Sequence, residues 1–422
     1  MSRLRAPNVR DWRSRAPSSA PRTLFLINDL RMGGAERSLV NIVNHLKYIR
    51  AAVVLIEPAA DLLAAVSPDI EIFSLDMRHP APLSKGDRHA ILPSAPRRRG
   101  RPRGQMLLEV PGLIRKALRL ARVARATDGR VVSTFLNRSH TIALVAKLLF
   151  AWRLRVVINV HEILSDHLAI HFSPVERRVM RAFIRFGFPL AEQIVVVADS
   201  VRNDLVRHFA IAVDRITIVP NPIDVERIRR AGAESVEVTG GNHGAIVIVG
   251  VGRLVRLKGF DLLIRAFARL PREIPAKLQI VGDGEERAGL ERLAAELKVG
   301  DRVEFLGTQL NPWKYMARAR VIALPSRMEA SPNVLGEALA LAIPVVATRC
   351  SDGVVTYLEG GRCGLLVPPD DAVALGDALE RVLTDEALRR RLIEHASERA
   401  AAFDLPHVVE RYESVIVELT GG

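Results

Sequence analysis

Short apolar runs recur along this chain at a spacing that leaves room for a helix between them. "TLFLIN" (23–28), "AVVLIE" (52–57), "EIFSL" (71–75), "VVSTFL" (131–136), "VVINV" (156–160) and "IVVVA" (194–198) mark the first half. A second series opens at "AIVIVGVG" (245–252). It continues through "LQIVGDG" (278–284), "VEFLG" (303–307), "VIALP" (321–325), "PVVAT" (344–348) and "GLLVP" (364–368). The runs are continuous rather than alternating, as in strands buried on both faces. Helical spacing separates most of them; Leu39, Ile42, Val43 and Leu46 make one such face after the Gly33-Gly34 turn. The pattern predicts an α/β protein of two Rossmann-like domains facing across a cleft, with ligands at the carboxyl ends of the strands.

Interruptions in the pattern set the expected boundaries. Residues 1–22 are basic and rich in serine and proline, and read as a disordered tail. The first domain is expected over 23–228, a polar, glycine-rich linker over 229–244 and the second domain over 245–395. The helical tail 396–422, broken at "FDLP" (403–406), is expected to pack back on the first domain. Residues 78–105 hold many prolines and arginines and read as a long exposed loop. A helix follows from about Pro111, with Val110, Ile114, Ala117 and Ala121 on one face and Arg115, Arg119 and Arg122 on another.

Composition narrows the class. A chain of 422 residues is too long for one core. Its net charge of +14 draws it toward anionic partners. The basic run "RRRGRPRG" (97–104) has no nucleic-acid motif beside it, and no specific nucleic acid is expected. Two cysteines, Cys350 and Cys363, make neither a disulfide framework nor a zinc cluster, which fits a reducing compartment. The longest apolar stretch, "TIALVAKLLFAW" (141–152), is too short to span a bilayer and contains Lys147. A cytoplasmic protein follows, one that can sit peripherally at the inner face of the cell membrane through the basic stretch 97–125 or through 171–188. The same residues also suit a solvated helix face or a core helix.

Four places offer chemistry. In "VGRLVRLKGFDLLIRAF" (251–267) a strand ends at Gly252, Arg253 and Lys258 follow, and a helix begins. Two cations there suit a diphosphate, although solvated surface charges would look the same. "NDLRMGGAERS" (28–38) puts Gly33 and Gly34 after the first strand. Taken alone they make a tight turn, and they lack both the GxGxxG and Gly-Lys-Ser/Thr fingerprints. "EASPNVLGE" (329–337) carries Glu329 and Glu337. Here Ser331 reads as an N-cap and Pro332 as the first helical residue, with Val334, Leu335, Ala338 and Ala342 buried and Glu337 off that face. Paired glutamates are more often merely solvated. His161 ends the strand "VVINVHE", with Glu162 beside it as a candidate ion-pair partner. No HExxH or GxSxG element is present.

These pieces, in this order, resemble the family 4 glycosyltransferases, retaining enzymes of the GT-B fold. The resemblance runs from about residue 23 to about 400. It is densest in "NPWKYMARARVIALPSRMEASPNVLGEALALAIPVVATRCSDG" (311–353), which looks like the family's signature with its Glu-x7-Glu element, Glu329 and Glu337. "GRLVRLKGFDLLIRAF", "IVGDGEER", "GLLVPPDD" and "GGAERS" match other family blocks. The wording of "NPWKYM" and "SPNVL" is nearest to members that build bacterial surface polysaccharides and lipid-linked oligosaccharides. The resemblance implies a UDP- or GDP-sugar donor, a glycan or polyprenyl-linked acceptor, and no metal or cofactor. Arg253 and Lys258 would hold the diphosphate, and Glu337 the ribose. Glu329 and His161 would lie at the donor sugar, with Gly33 and Gly34 close to the diphosphate. In the family's retaining chemistry the acceptor attacks from the leaving-group side and the departing phosphate takes its proton.

The chain departs from the family at three places. Ala330-Ser331 replaces the common Gly-Phe after the first glutamate, Val354 replaces a common proline, and Thr356 stands where many relatives have a glutamate. Two other functions remain open on this reading: another GT-B enzyme such as a nucleotide-sugar epimerase, or a catalytically degenerate, membrane-associated binding subunit.

Overall fold

The computed structural model describes residues 22–31, 33–59, 61–76, 81–84, 110–236 and 245–420. The chain divides into two compact units, one of residues 1–222 with 405–422, the other of residues 223–404. The expected basic tail up to residue 21, most of the loop 78–105 and the basic run 97–104 lie outside the described residues, as does the second half of the expected linker, while Arg22, the tail's last expected residue, opens the first strand.

In the first unit the described residues form a seven-stranded sheet. Its strands are β1 (Arg22–Ile27), β2 (Arg50–Leu55), β3 (Glu71–Ser74), β4 (Val131–Phe135), β5 (Arg155–Val160), β6 (Gln193–Val196) and β7 (Ile216–Ile218). All are parallel and run in the order β3-β2-β1-β4-β5-β6-β7. Six of them fall where the apolar runs predicted. β7 is the addition: three residues of intermediate exposure, too short and too open to show as an apolar run.

In the second unit the described residues hold six parallel strands, β8 (Ile246–Val251), β9 (Ala276–Val281), β10 (Val303–Gly307), β11 (Val321–Leu324), β12 (Val345–Thr348) and β13 (Leu365–Val367). Their order is β10-β9-β8-β11-β12-β13. Both sheets therefore grow outward from their first strand in two directions. The loops after β1 and β4, and those after β8 and β11, leave toward opposite faces, and the crevice between such loops is where open α/β sheets take ligands.

Apolar clusters cover both faces of the second sheet. Phe260, Leu263 and Phe267 pack with Leu375, Leu379 and Val382 on one side. Met316, Leu335, Leu339, Tyr357 and Phe403 pack on the other. The helix Val225–Gly232 belongs to this unit, through Ile228, where a linker was expected from 229. Its first turn is capped by Asp224, whose carboxylate accepts from Arg227 N at 3.0 Å. Ile223 and Ile228 are buried in the core of the second unit, and the division falls at 222/223, ahead of the composition change that suggested 228/229. The tail divides at 404/405 rather than near 396, because Ala396, Ala400 and Phe403 are core residues of the second unit.

The last helix, Leu405–Thr420, belongs to the first unit, where Val408, Tyr412 and Ile416 pack with Phe25, Ile27, Leu39 and Phe135. Tyr412 is fully buried, and its hydroxyl shares a 2.5 Å hydrogen bond with Ser133 Oγ on β4. Asn159 of β5 donates to the same Ser133 oxygen at 2.7 Å. A buried hydroxyl needs a partner, and this one finds it inside the sheet.

The helix Val110–Ala126 starts one residue before Pro111. Ala117, Leu120, Ala121 and Ala124 are buried, whereas Val110 and Ile114 are exposed. Part of its basic face turns inward: Lys116 donates to Ile56 O at 2.9 Å and Arg119 to Leu75 O at 2.5 Å. Arg115 and Arg122 remain exposed. Among the described residues no helix is long and apolar enough to cross a membrane.

Removing the Tyr412 hydroxyl tests the tie between the last helix and the sheet. Tyr412→Phe is expected to destabilise the first unit by about 1–2 kcal/mol, since Ser133 loses a buried partner. Urea unfolding followed by tryptophan fluorescence and circular dichroism measures it, and an unchanged transition would contradict the tie.

Candidate active site

In the second unit the chemistry gathers at the strand-order reversal. β8 runs into Gly252 and the exposed Arg253, then a tight turn, Arg256–Lys258, and then the helix Phe260–Ala268. Gly259 joins turn to helix in a left-handed conformation, φ +64°. A Cβ there would lie 2.1 Å from Pro325 O, so only glycine lets the two loops touch. β11 runs into Pro325, Ser326 and Glu329, and the helix Asn333–Ala340 follows.

Glu329 is only 8% exposed and Lys258 is a quarter exposed. Lys258 Nζ lies 2.5 Å from Glu329 Oε1, and Ser326 Oγ donates to the same oxygen at 2.7 Å. Thr348, ending β12, donates to the carbonyl of Ser326. A buried carboxylate is costly unless paired and hydrogen-bonded, and here it is both. The ammonium spends one of its three N–H donors on Glu329. Cys350 lies close by: burial pushes its thiol up to about 11, with the Glu329 carboxylate adding to the rise and Lys258 opposing it. It is accordingly a poor nucleophile.

Glu337 was expected off the buried face, but it is 7% exposed. Its helix is buried from Leu335 through Ala340, so every face beyond the first turn is covered. Gly336 permits this, since a Cβ there would sit 2.6 Å from Ile223. Ser331 is not the N-cap either. Pro332 precedes the first helical residue, Asn333, and Ser331 Oγ points to Tyr357 Oη at 3.5 Å. Tyr357 stacks on Phe403 with centroids 4.2 Å apart. Burial pushes its phenol up to about 12, and the Glu337 carboxylate adds to the shift. Thr356 is exposed and its carbonyl accepts from Arg399 at 2.9 Å. The structure thus brings Lys258 and Glu329 into contact and adds Ser326, Thr348 and Tyr357, which no spacing in the sequence singled out.

In the first unit Gly33 precedes the helix Gly34–His45 in an extended conformation. A Cβ on Gly33 would lie 2.2 Å from Glu36 Oε2. The buried Glu36 side chain takes the space that a larger residue would need. Gly34 opens the helix, and its carbonyl accepts from Ser38 Oγ at 2.9 Å.

His161 follows β5 and stacks on Phe135, ring centroids 5.3 Å apart. Burial holds its imidazole down at about 4, against the opposing influence of the neighbouring Asn221 side chain and of the Glu162 charge. Glu162 is not its ion-pair partner. That carboxylate accepts from Asn137 Nδ2 at 2.7 Å and lies 2.9 Å from His167 Nδ1. Burial alone would raise Glu162, yet these two neighbours hold it below its ordinary value. Burial likewise lowers His167, and the Glu162 bond and charge more than offset it, so His167 is raised.

Comparison with known proteins gives two family matches. A family model described as Glycosyltransferase Family 4 matches residues 32–227, and one described as Glycosyl transferases group 1 matches residues 233–399. The chain is 33% identical, over 68% of its own length and 76% of the relative's, to N-acetylgalactosamine-N,N'-diacetylbacillosaminyl-diphospho-undecaprenol 4-alpha-N-acetylgalactosaminyltransferase of Campylobacter jejuni. A second transferase of that organism, the alpha-1,4-N-acetyl-D-galactosaminyltransferase acting on GalNAc-alpha-(1->4)-GalNAc-alpha-(1->3)-diNAcBac-PP-undecaprenol, is 24% identical over 94% of this chain and 98% of its own. Among solved structures, Anabaena Alr3699/HepE in complex with UDP superposes with a TM-score of 0.71 at 20% identity, over 94% of this chain and all of the other. WaaG, a glycosyltransferase involved in lipopolysaccharide biosynthesis, superposes at 0.63 with 19% identity, over 95% of this chain and all of its own.

The low value at His161 makes a signed prediction for stability. The unfolded chain binds a proton at His161 near 6.5, and the folded chain only near 4. Stability from this group is full above 6.5 and is lost as pH falls toward 4. The slope of unfolding free energy against pH between 6.5 and 4 should therefore be shallower in His161→Asn than in the wild type. Identical slopes in the two proteins would show that His161 is not held neutral.

Proposed function

The chain belongs to glycosyltransferase family 4 and is a glycosyltransferase of the GT-B fold, and on that premise we propose that it transfers a sugar, with retention, from a UDP- or GDP-sugar to a lipid-linked or polysaccharide acceptor. The observation that supports the donor half is the Lys258–Glu329 pair at the strand-order reversal of the second unit. Lys258 keeps two N–H donors for a diphosphate, and exposed Arg253 brings a guanidinium fork from the same loop. Negative charge grows on the diphosphate as the glycosidic bond breaks. Fixed cations aimed there stabilise that charge without rearranging during the step.

Glu329, buried and already oriented by Ser326, accepts hydrogen bonds from hydroxyls of the donor sugar. Glu337 does the same for the ribose, and its burial strengthens such bonds. His161 acts as a neutral imidazole and offers a hydrogen bond to the transferred sugar. At neutral pH it is not a proton donor of the imidazolium kind. Gly33 and Gly34, which carry no side chains, let the diphosphate approach the backbone at the start of their helix. The acceptor reading follows the undecaprenol-linked substrates named for the two Campylobacter relatives.

A released-nucleotide assay over a panel of UDP- and GDP-sugars tests the donor half. Arg253→Ala is expected to lower turnover by roughly 10²–10³-fold with the thermal midpoint retained, and Lys258→Ala to lower it by as much with a reduced midpoint, since the buried Glu329 carboxylate loses its cation. Full turnover in both variants would refute the assignment.

A lipid-linked acceptor brings the enzyme to a membrane, and the helix Pro174–Gly187 suits an anionic surface. Val175, Val179 and Phe186 are 46–70% exposed and, with Ala182, form one stripe. Arg178, Arg181 and Arg185 lie exposed alongside it. A capping box of Ser173 and Glu176 holds its start. Apolar contact and cationic attraction then act on the same lipid face. Phe186→Glu with Val179→Glu should abolish co-sedimentation with phosphatidylglycerol vesicles while leaving hydrolysis of the free donor unchanged. Equal sedimentation of wild type and variant would exclude this helix.

A further inference from the structure

We propose that Arg327 is the positioning residue of the donor site, holding the turn that carries Lys258 against the segment that carries Glu329. The inference rests on the donor reading above and adds a residue to it. Arg327 lies two positions before Glu329, and its side chain turns back toward the loop after β8. Its Nη1 and Nη2 meet the two oxygens of Asp261 at 2.7 and 2.8 Å, a two-point fork. Nη1 also donates to Arg256 O at 2.8 Å, and Nε donates to Asp370 Oδ1 at 2.6 Å. The backbone closes the same junction, Arg327 N to Leu257 O at 2.8 Å.

One guanidinium thus ties three strand-following loops. Asp261 sits in the first turn of the helix after β8, Arg256 begins the turn that ends at Lys258, and Asp370 stands in a left-handed conformation after β13. The bonds to Arg256 and Leu257 bracket the residues just before Lys258. On the other side only Met328 separates Arg327 from Glu329. The Lys258–Glu329 separation is therefore set between two anchors belonging to the same residue. Arginine is required because a lysine supplies no planar fork and cannot reach both carboxylates and the carbonyl with fixed geometry. Arg327 touches neither reacting atom in this scheme; it acts through Lys258 and Glu329.

The test uses the full chain, the released-nucleotide assay with whichever UDP- or GDP-sugar the wild type turns over, and calorimetry with UDP and GDP. Arg327→Ala should lower kcat/KM by roughly 10–100-fold, the scale of a loosened site. Arg327→Lys should recover only a minor part. Asp370→Asn, which removes the charge of one exposed partner but keeps an acceptor oxygen, should cost roughly 2–5-fold. Combining Arg327→Lys with Lys258→Ala discriminates positioning from general support of the fold. If Arg327 acts through Lys258, its loss adds little once Lys258 is gone. A loss that multiplies fully on the Lys258→Ala background, or an Arg327→Ala variant within twofold of wild type, would overturn the proposal. If Arg327→Ala does not fold, the Arg327→Lys and Asp370→Asn variants carry the same comparison. A wild type that binds neither nucleotide and turns over no donor would overturn the underlying donor reading, and Arg327 with it.

Discussion

The buried carboxylate of Glu329 sets the requirement around which the second unit is arranged. Removing a carboxylate from water costs several kcal/mol unless a cation and hydrogen-bond donors replace the lost hydration. Lys258 and Ser326 supply them. Lys258 comes from the loop after β8 and Glu329 from the loop after β11, 71 residues apart in sequence. They meet because β8 and β11 are neighbours and their loops diverge at that point. The pairing leaves ammonium donors over at a strand-order reversal, the place where open α/β sheets take ligands.

Glycine and arginine maintain that arrangement by different means. Gly259 allows Pro325 to approach to a distance no side chain would permit. Arg327 then bridges the same two loops with directional bonds. Contact alone would let the loops slide, whereas a forked ion pair resists both sliding and twisting.

The first unit meets a different constraint. His161 sits on the Phe135 ring in a setting poor enough in water that the neutral imidazole is favoured. On the same sheet, Tyr412, Ser133 and Asn159 satisfy one another in a buried polar chain. Such a chain is rigid only when every member is paired, and its last member comes from the C-terminal helix. The 16 residues of that helix therefore belong to the architecture of the strands that lead to His161, although more than 240 positions separate them in sequence.

Twelve of the thirteen strands among the described residues were legible in the chain, because strands of a parallel sheet covered on both faces are predominantly apolar. β7 was not, since three residues of intermediate exposure are too few to stand out as an apolar run. Lys258 and Glu329 were visible as residue types at strand ends, as was the lobe that holds them. The sequence could not show that they bond to each other, that Glu337 is buried, that Ser331 turns to Tyr357 rather than capping its helix, or that Glu162 pairs with His167 and Asn137. Local pattern alone determined the elements, the family and the kinds of charge available, because periodicity and loop chemistry act over a few residues. Strand order, which only the tertiary structure decided, determined which of those charges lost water and which partner replaced it, because that choice is made between segments far apart in the chain.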